Sequence, residues 1–413
     1  PYGNLIAGWM VMPDAPLMTA WMLALAQIVS ILGGPEEEQF TTKQGMLLGL
    51  TLALALMSKV HGLFLGFGIG LVAITSHRHW WKRTGWYACI IIGAAGILPQ
   101  VLWNLHNGSP MTSYQGGRIG QRIHWDDMFR DLFAGMGYQN PFVMVLIIGG
   151  LVLWIRNNPF MRNAYTRLFL FCSIPLLLAM MGIALYGDSL PHWTGPTYMT
   201  LLPLAAAGTA YAAKPARYMN WTKGGWWFLQ LMLLTMTLFS KYYPFTTGTI
   251  YPPSKKGAGD LTLDFTGWKA WKDALQDTLK NDPIIGAKPD SVWLLSGFYF
   301  PAAHIEHYFA HPLHLRSKPV GPFNNIHNFY FTSPLQGALK QGDNAVWLDI
   351  SNYDRPLLDQ VKSAFDSTGQ KILIPQERGG FPVRYLKVTP LYHYRKGIPE
   401  TGLINLRIGG SAN

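Results

Sequence analysis

The sequence predicts a polytopic α-helical membrane bundle, of about eight complete transmembrane helices plus a partial one, followed by a small extracytoplasmic α/β domain. Three observations predict it. Charged residues are 13% of the 413-residue chain and hydrophobic residues 49%, whereas soluble domains carry about 25% charged residues. The depletion is uneven: apolar runs with short polar breaks continue to about Tyr243, and ordinary polar sequence follows. Finally, basic residues of the first part gather in three short loops, every second one along the chain, which is the pattern membrane orientation demands.

The apolar segments are a partial one at 4–12, then 15–32, 42–58, 61–75, 86–103, 141–155, 168–185, 198–213 and 226–241. Several fall short of the ~20 residues of a straight span, and flanking aromatics are expected to complete them. The basic loops are His77–Arg83, Arg156–Arg167 and Lys214–Lys223, with three Lys or Arg each and no Asp or Glu. They set the cytoplasmic side, and with it the +11 net charge reads as membrane orientation rather than nucleic-acid binding. Residues 42–75 as one helix would be about 50 Å long, too long for a ~30 Å hydrocarbon core, so a break is expected at Lys59. The loops at Pro13-Asp14, Ser58–Gly62, 104–140 and Tyr186–Thr197 then share the outer side. Gly62, Gly66 and Gly70 recur every four residues and are expected to line a helix–helix contact. Cys89 and Cys172 both lie in apolar runs and suggest neither a disulfide framework nor a metal site. The chain starts at Pro1 without Met, and Tyr2–Met12 reads as the end of a helix already under way, so an upstream segment is expected.

The domains expected are a membrane domain over 1–243, a Pro/Gly-rich linker over 244–259 and an α/β domain over 260–413. In the last, Thr266–Lys280 reads as an amphipathic helix with Trp268 and Trp271. Strand-like runs are Ser291–Leu295, Leu313–Ser317, Ala345–Ile350, Lys371–Ile374 and Arg384–Val388, with helices at Ala302–Phe309 and Pro356–Asp366.

The chemistry-bearing residues sit at the outer breaks. Asp14 lies between Pro13 and Pro16 at the mouth of an apolar run. A carboxylate there suits a general base or a ligand for a divalent metal or a sugar hydroxyl; an N-cap at the membrane edge explains it as well. Lys59 and His61 occupy a tight inter-helix connection. The cation suits a phosphate as a point charge, or simply snorkels to the interface. Asn104 and His106 end a span, and Arg118 and Arg122 lie in the long loop that follows, where arginines, aromatics and amides suit a sugar phosphate. His192 and Trp193 precede the span at 198. His304, His307, His311 and His314 lack metal-site spacing and read as surface. There is no phosphate-binding Walker loop, nucleophile elbow or dinucleotide fingerprint.

Four of these stretches resemble, in order, motifs of the polytopic C-type glycosyltransferases, the group that contains protein O-mannosyltransferases and the lipid A aminoarabinose transferase. They are Pro13-Asp14-Ala15-Pro16, Leu56-Met57-Ser58-Lys59-Val60-His61-Gly62, Pro99-Gln100-Val101-Leu102-Trp103-Asn104-Leu105-His106 and Pro191-His192-Trp193-Thr194-Gly195-Pro196-Thr197-Tyr198. Val60 and His61 stand where the family often has Tyr and a small residue, so no tyrosine role carries over there. The resemblance implies transfer of a sugar from a polyprenyl-phosphate carrier to a lipid, glycan or protein acceptor at the outer face of the cell's inner (plasma) membrane. It implies that Asp14 is the family's second acid, binding metal or acceptor, that Lys59 and the loop arginines hold the carrier phosphate, and that Trp193 lines the cavity. The main acid would precede Pro1. No cofactor is otherwise indicated. The competing class is a polytopic transporter or lipid flippase, which should show internal repeats and midplane binding groups; the ionisable residues here cluster at one face instead.

Overall fold

The computed structural model describes residues 12–117, 120, 123–158, 163–187 and 189–398. The chain divides into two compact units, one up to Leu231 and one from Met232.

The first unit is helical. Its helices are α1 (Asp14–Gly33), α2 (Thr42–Ser58), α3 (Gly62–Thr75), α4 (Thr84–Ala95), α5 (Leu98–His106), α6 (Pro110–Gly116), α7 (Trp125–Tyr138), α8 (Pro141–Asn157), α9 (Ala164–Tyr186), α10 (Gly195–Gly208) and α11 (Pro215–Tyr242), which runs on into the second unit. Among the described residues three stretches are long and apolar enough to cross a membrane: Asp14–Gly33, Thr84–His106 and Ala164–Tyr186. The pair α7 and α8 passes that test together but bends by 98°. The other expected segments form helices too, but α2, α3, α8 and α10 have only 14 to 17 residues. The expected partial segment at 4–12 lies outside the described residues. The stretch 104–140, expected as a loop, instead contains α6 and α7. The reason is visible in α7, whose sequence is amphipathic with Asp126 and Asp127 in its first turn, where they favour the helix dipole.

The core of this unit gathers Leu17, Trp21 and Ile28 of α1, Leu48 and Leu52 of α2, Leu65 and Ile69 of α3, and Leu168 and Leu176 of α9. The buried Trp21 indole donates to Thr200 Oγ1 at 2.8 Å, which ties α1 to α10. Outward faces stay apolar: Leu23, Leu50, Phe67 and Leu178 are each at least half exposed. Such surface is unfavourable in water and natural in lipid. Helices close on one another through glycines. A Cβ on Gly45 would lie 1.9 Å from Gly85 O, and one on Gly208 would lie 1.9 Å from Gly150 O. The expected glycine face of α3 is corrected in part. Gly62 packs against the backbone of Ala55, but a Cβ on Gly66 or Gly70 would meet nothing within 4 Å among the described residues. The close approach runs through Gly68, against Cys172 of α9, because it shares a face with the buried Leu65, Ile69 and Val72.

The second unit is α/β. Helix α12 (Trp271–Asn281) precedes β1 (Trp293–Ser296), α13 (Tyr299–Ile305), β2 (Arg316–Pro319), β3 (Ala345–Ile350), β4 (Phe365–Thr368), β5 (Ile372–Arg378) and β6 (Phe381–Tyr394). The strand order is β2-β1-β3-β6-β4, with β5 also on β6. Strands β1, β2 and β3 are parallel; β6 runs antiparallel to β3, β4 and β5. Every residue of β1 and β3 is buried, as expected of strands covered on both faces. The expected helix at Pro356–Asp366 is reduced to Asp359–Lys362, and β4 begins at Phe365; pairing with β6 overrides the local helical pattern there.

Two polar clusters are built into this core. Asp349 and Lys387 face each other across β3 and β6 with a 2.6 Å contact. Arg384 is fully buried, with its guanidinium 4.8 Å from the Trp268 ring and 4.7 Å from that of Trp271. It donates to Gln376 Oε1 at 2.6 Å and to Thr266 O at 2.8 Å. Burial draws its pKa down to about 9. His304, expected at the surface, is half-buried and stacks on Trp268 with ring centroids 4.2 Å apart. Burial, reinforced by Arg384 and His307, holds its imidazole at about 4.

Candidate functional site

The site begins with two chain features, a helix start and a helix break. Pro13 occupies the N-cap position of α1, so Asp14 is the first helical residue and makes no cap bond with its side chain. The capping explanation for Asp14 is therefore set aside. The break between α2 and α3 falls at Lys59–His61, as the length argument requires. Lys59 is extended (φ −162°, ψ 144°), and Gly62 comes so close to Ala55 that a Cβ would sit 2.8 Å from its carbonyl carbon. Gln100 holds this break from α5 by donating to Leu56 O and Met57 O, both at 2.9 Å. Nothing in the spacing of Gln100 marks that role; only the meeting of α2 and α5 reveals it.

The extended Lys59 reaches back to α1, with Nζ 2.8 Å from Asp14 Oδ1. Both side chains are mostly buried, at 12% exposure for Asp14 and 18% for Lys59. The ammonium lies 5.8 Å from the centre of the Trp193 ring. His61 meets the same ring edge-on at 6.1 Å, and both its ring nitrogens are buried without a hydrogen-bond partner among the described residues. His192 completes the group beside Trp193, its ring centroid 6.3 Å from that of Tyr138. Burial pushes the His192 imidazole below its ordinary value, Asp14 opposes that and Lys59 reinforces it.

Five expected site residues are thus brought together by three separate chain segments: Asp14, Lys59, His61, His192 and Trp193. The others stand differently. Asn104 spends its amide on the next helix, donating to Thr112 Oγ1 at 3.0 Å and accepting from Met111 N at 2.9 Å. His106 is exposed in the last turn of α5. Arg118 and Arg122 lie outside the described residues. Asp14 Oδ1 faces the Lys59 ammonium, and the described residues contain no group of three His, Cys, Asp or Glu able to hold a metal ion.

Sequence reasoning missed the α7–α8 elbow beside this group. Asn140 has φ 82°; its side chain accepts from Phe142 N and donates to Gly225 O at 3.0 Å. The adjoining Gln139 is fully buried and its amide finds no partner among the described residues. Asn140-Pro141 is a helix-start signature that could have located the elbow. On α7, Asp131 accepts from Ser189 Oγ at 2.5 Å, which ties α7 to the connection that carries His192 and Trp193.

Comparison with known proteins agrees with this architecture. A model of the dolichyl-phosphate-mannose-protein mannosyltransferase family matches residues 2–103. The fold is similar to the crystal structure of ArnT from Cupriavidus metallidurans bound to undecaprenyl phosphate, at 12% identity and a TM-score of 0.52, over 91% of this chain and 74% of that one. The apo structure of the same protein matches over the same shares, at 12% identity and a TM-score of 0.50. The chain has an ArnT-like fold. No curated protein matches the sequence. The matched family segment covers Asp14, Lys59 and His61; Trp193 joins them from outside it.

Proposed function

We propose that this protein is a membrane glycosyltransferase that moves a sugar from a polyprenyl-phosphate carrier to an acceptor at the outer face of the cytoplasmic membrane. The carrying observation is the mostly buried Asp14–Lys59 pair beside Trp193. A lipid-phosphate sugar presents its reactive carbon at the headgroup, so the chemistry belongs at the membrane boundary, where helix breaks and connections supply polar groups. The Lys59 ammonium binds the carrier phosphate as a point charge and stabilises it as the bond from the anomeric carbon to the phosphate oxygen breaks. The new bond forms to an acceptor oxygen. Asp14 first orients Lys59; once the phosphate takes over the ammonium, its carboxylate is free to hold the acceptor hydroxyl or accept its proton. Trp193 offers a ring face to the sugar. Further parts of the reading are the expected topology of about eight spans, an extracytoplasmic second unit, a linker near 244–259 and the loop arginines Arg118 and Arg122 as additional phosphate ligands.

The test is transfer of radiolabelled sugar from synthetic undecaprenyl-phosphate donors by the full-length protein in membranes. Lys59→Met and Asp14→Asn should each lower transfer at least 100-fold while the protein stays folded. Full activity in Asp14→Asn removes Asp14 from the mechanism. Absence of transfer from every lipid-linked donor removes the transferase reading.

A further inference from the structure

The second unit carries a feature that the transferase site does not use. In its sheet β1 lies between the parallel strands β2 and β3. The chain leaves β1 toward β2 on one side. It leaves β3 toward β4 on the other, and β4 is parallel to β3 because both are antiparallel to β6. The connections therefore part at the carboxyl ends of β1 and β3. A topological switch point of this kind opens a crevice that open α/β sheets use for ligands.

The two loops that part there meet through rings and a cation. After β1, Gly297 turns so tightly over β3 that a Cβ would sit 2.9 Å from Trp347, and Phe298 and Tyr299 follow. After β3 come Tyr353 and Arg355. The Phe298 and Tyr353 rings lie 5.4 Å apart, and the Arg355 guanidinium lies 4.5 Å from the Phe298 ring centre. Beyond β2, His327 faces Tyr299 at 4.2 Å. Tyr299 is 38% exposed, Arg355 is exposed, and Phe298, Tyr353 and His327 are half-buried. This edge is aromatic and open to solvent, yet held in place: Trp347 Nε1 donates to Arg355 O at 3.4 Å and Asp349 accepts the Arg355 backbone N–H.

Charge decides the ligand class. The neighbouring carboxylates are engaged. Asp264 accepts from Asn352 and from the Tyr353 hydroxyl, both at 3.2 Å; Asp349 and Asp354 share Lys387 at 2.6 and 2.7 Å. Arg355 has no carboxylate partner among the described residues. An exposed guanidinium such as that of Arg355 suits bidentate binding of a carboxylate or phosphate. The exposed Tyr299 ring beside it suits the C–H face of a pyranose.

We propose that the carboxyl edge of β1 and β3 is a saccharide-binding site for an acidic sugar, with Tyr299 as the stacking platform and Arg355 as the anion anchor. The site is independent of Asp14, and its occupancy is read without turnover.

The test is isothermal titration of the full chain in detergent with tetragalacturonate and, as the neutral counterpart, cellotetraose. Tetragalacturonate should bind saturably and at least 10-fold more tightly than cellotetraose. Arg355→Gln should weaken the acidic probe about 10-fold and leave the neutral one unchanged, so that the preference disappears. Tyr299→Ala should weaken both by a similar factor, and Tyr299→Phe should restore most of the loss. Thermal unfolding of each variant should match the parent, because both side chains are exposed. Absence of saturable binding by either probe overturns the proposal, as does binding unaffected by both substitutions in folded protein.

Discussion

Replacing Lys59 by methionine leaves the Asp14 carboxylate in a site where it is only 12% exposed. At the observed 2.8 Å separation, the attraction of the pair is about 6 kcal/mol at an effective dielectric of about 20. Desolvation of both groups offsets most of that, so the pair itself adds little against an apolar replacement, while an orphaned member is costly. Each single substitution, Lys59→Met or Asp14→Asn, should therefore cost about 2–4 kcal/mol. The double variant should cost less than the sum, which makes the coupling energy about 2 kcal/mol. The assay is reversible unfolding of all four proteins in one detergent, followed through tryptophan fluorescence; Trp21 of the core and Trp193 beside the pair both report. Transfer activity measured on the same samples separates the two roles: the double variant should recover stability and remain inactive. A coupling energy below about 0.5 kcal/mol would refute the view that the two groups depend on each other, and recovery of activity in the double variant would refute their catalytic use.

Three further outcomes follow from the packing and the buried charges. Gly45→Ala drives a methyl group to 1.9 Å from Gly85 O and should cost roughly 3 kcal/mol or more; Gly66→Ala, which meets nothing within 4 Å, should stay within about 0.5 kcal/mol of the parent or stabilise by helix propensity, both read as shifts in melting temperature. Arg384→Lys keeps the charge but loses the planar contact with Trp268 and Trp271 and the fork of donors, and should destabilise the second unit by about 3 kcal/mol, seen as faster hydrogen exchange in β5 and β6. The folded second unit holds His304 at about 4 against an ordinary 6.5. As pH falls the unfolded chain therefore takes up the proton first. The His304 contribution is complete above about 6.5 and is lost toward pH 4, about 1–2 kcal/mol once screening at the open side of the ring is allowed for. His304→Gln should flatten the stability profile across that window, and an unchanged slope would count against it.

The sequence by itself determined the helical membrane character, the change to an α/β domain, and the place of the break at Lys59. Each depends on patterns local to the chain: apolar runs, basic loops, and a length limit on one helix. The candidate residues Asp14, Lys59, His61, His192 and Trp193 were legible for the same reason, since each sits at the mouth of an apolar run. Local patterns could not say which of them touch. The tertiary structure decided that Asp14 pairs with Lys59 rather than capping its own helix, because the extended backbone at Lys59 aims the side chain back at α1. It decided that Asn104 secures the next helix, and that Gly68, not Gly66, carries the close approach of α3, since the neighbour that chooses a face lies about a hundred residues away on α9. It also assembled Arg384, Trp268, Trp271 and His304 in one cluster and placed Phe298 beside Arg355, because strand order is set by long-range pairing that no local spacing encodes.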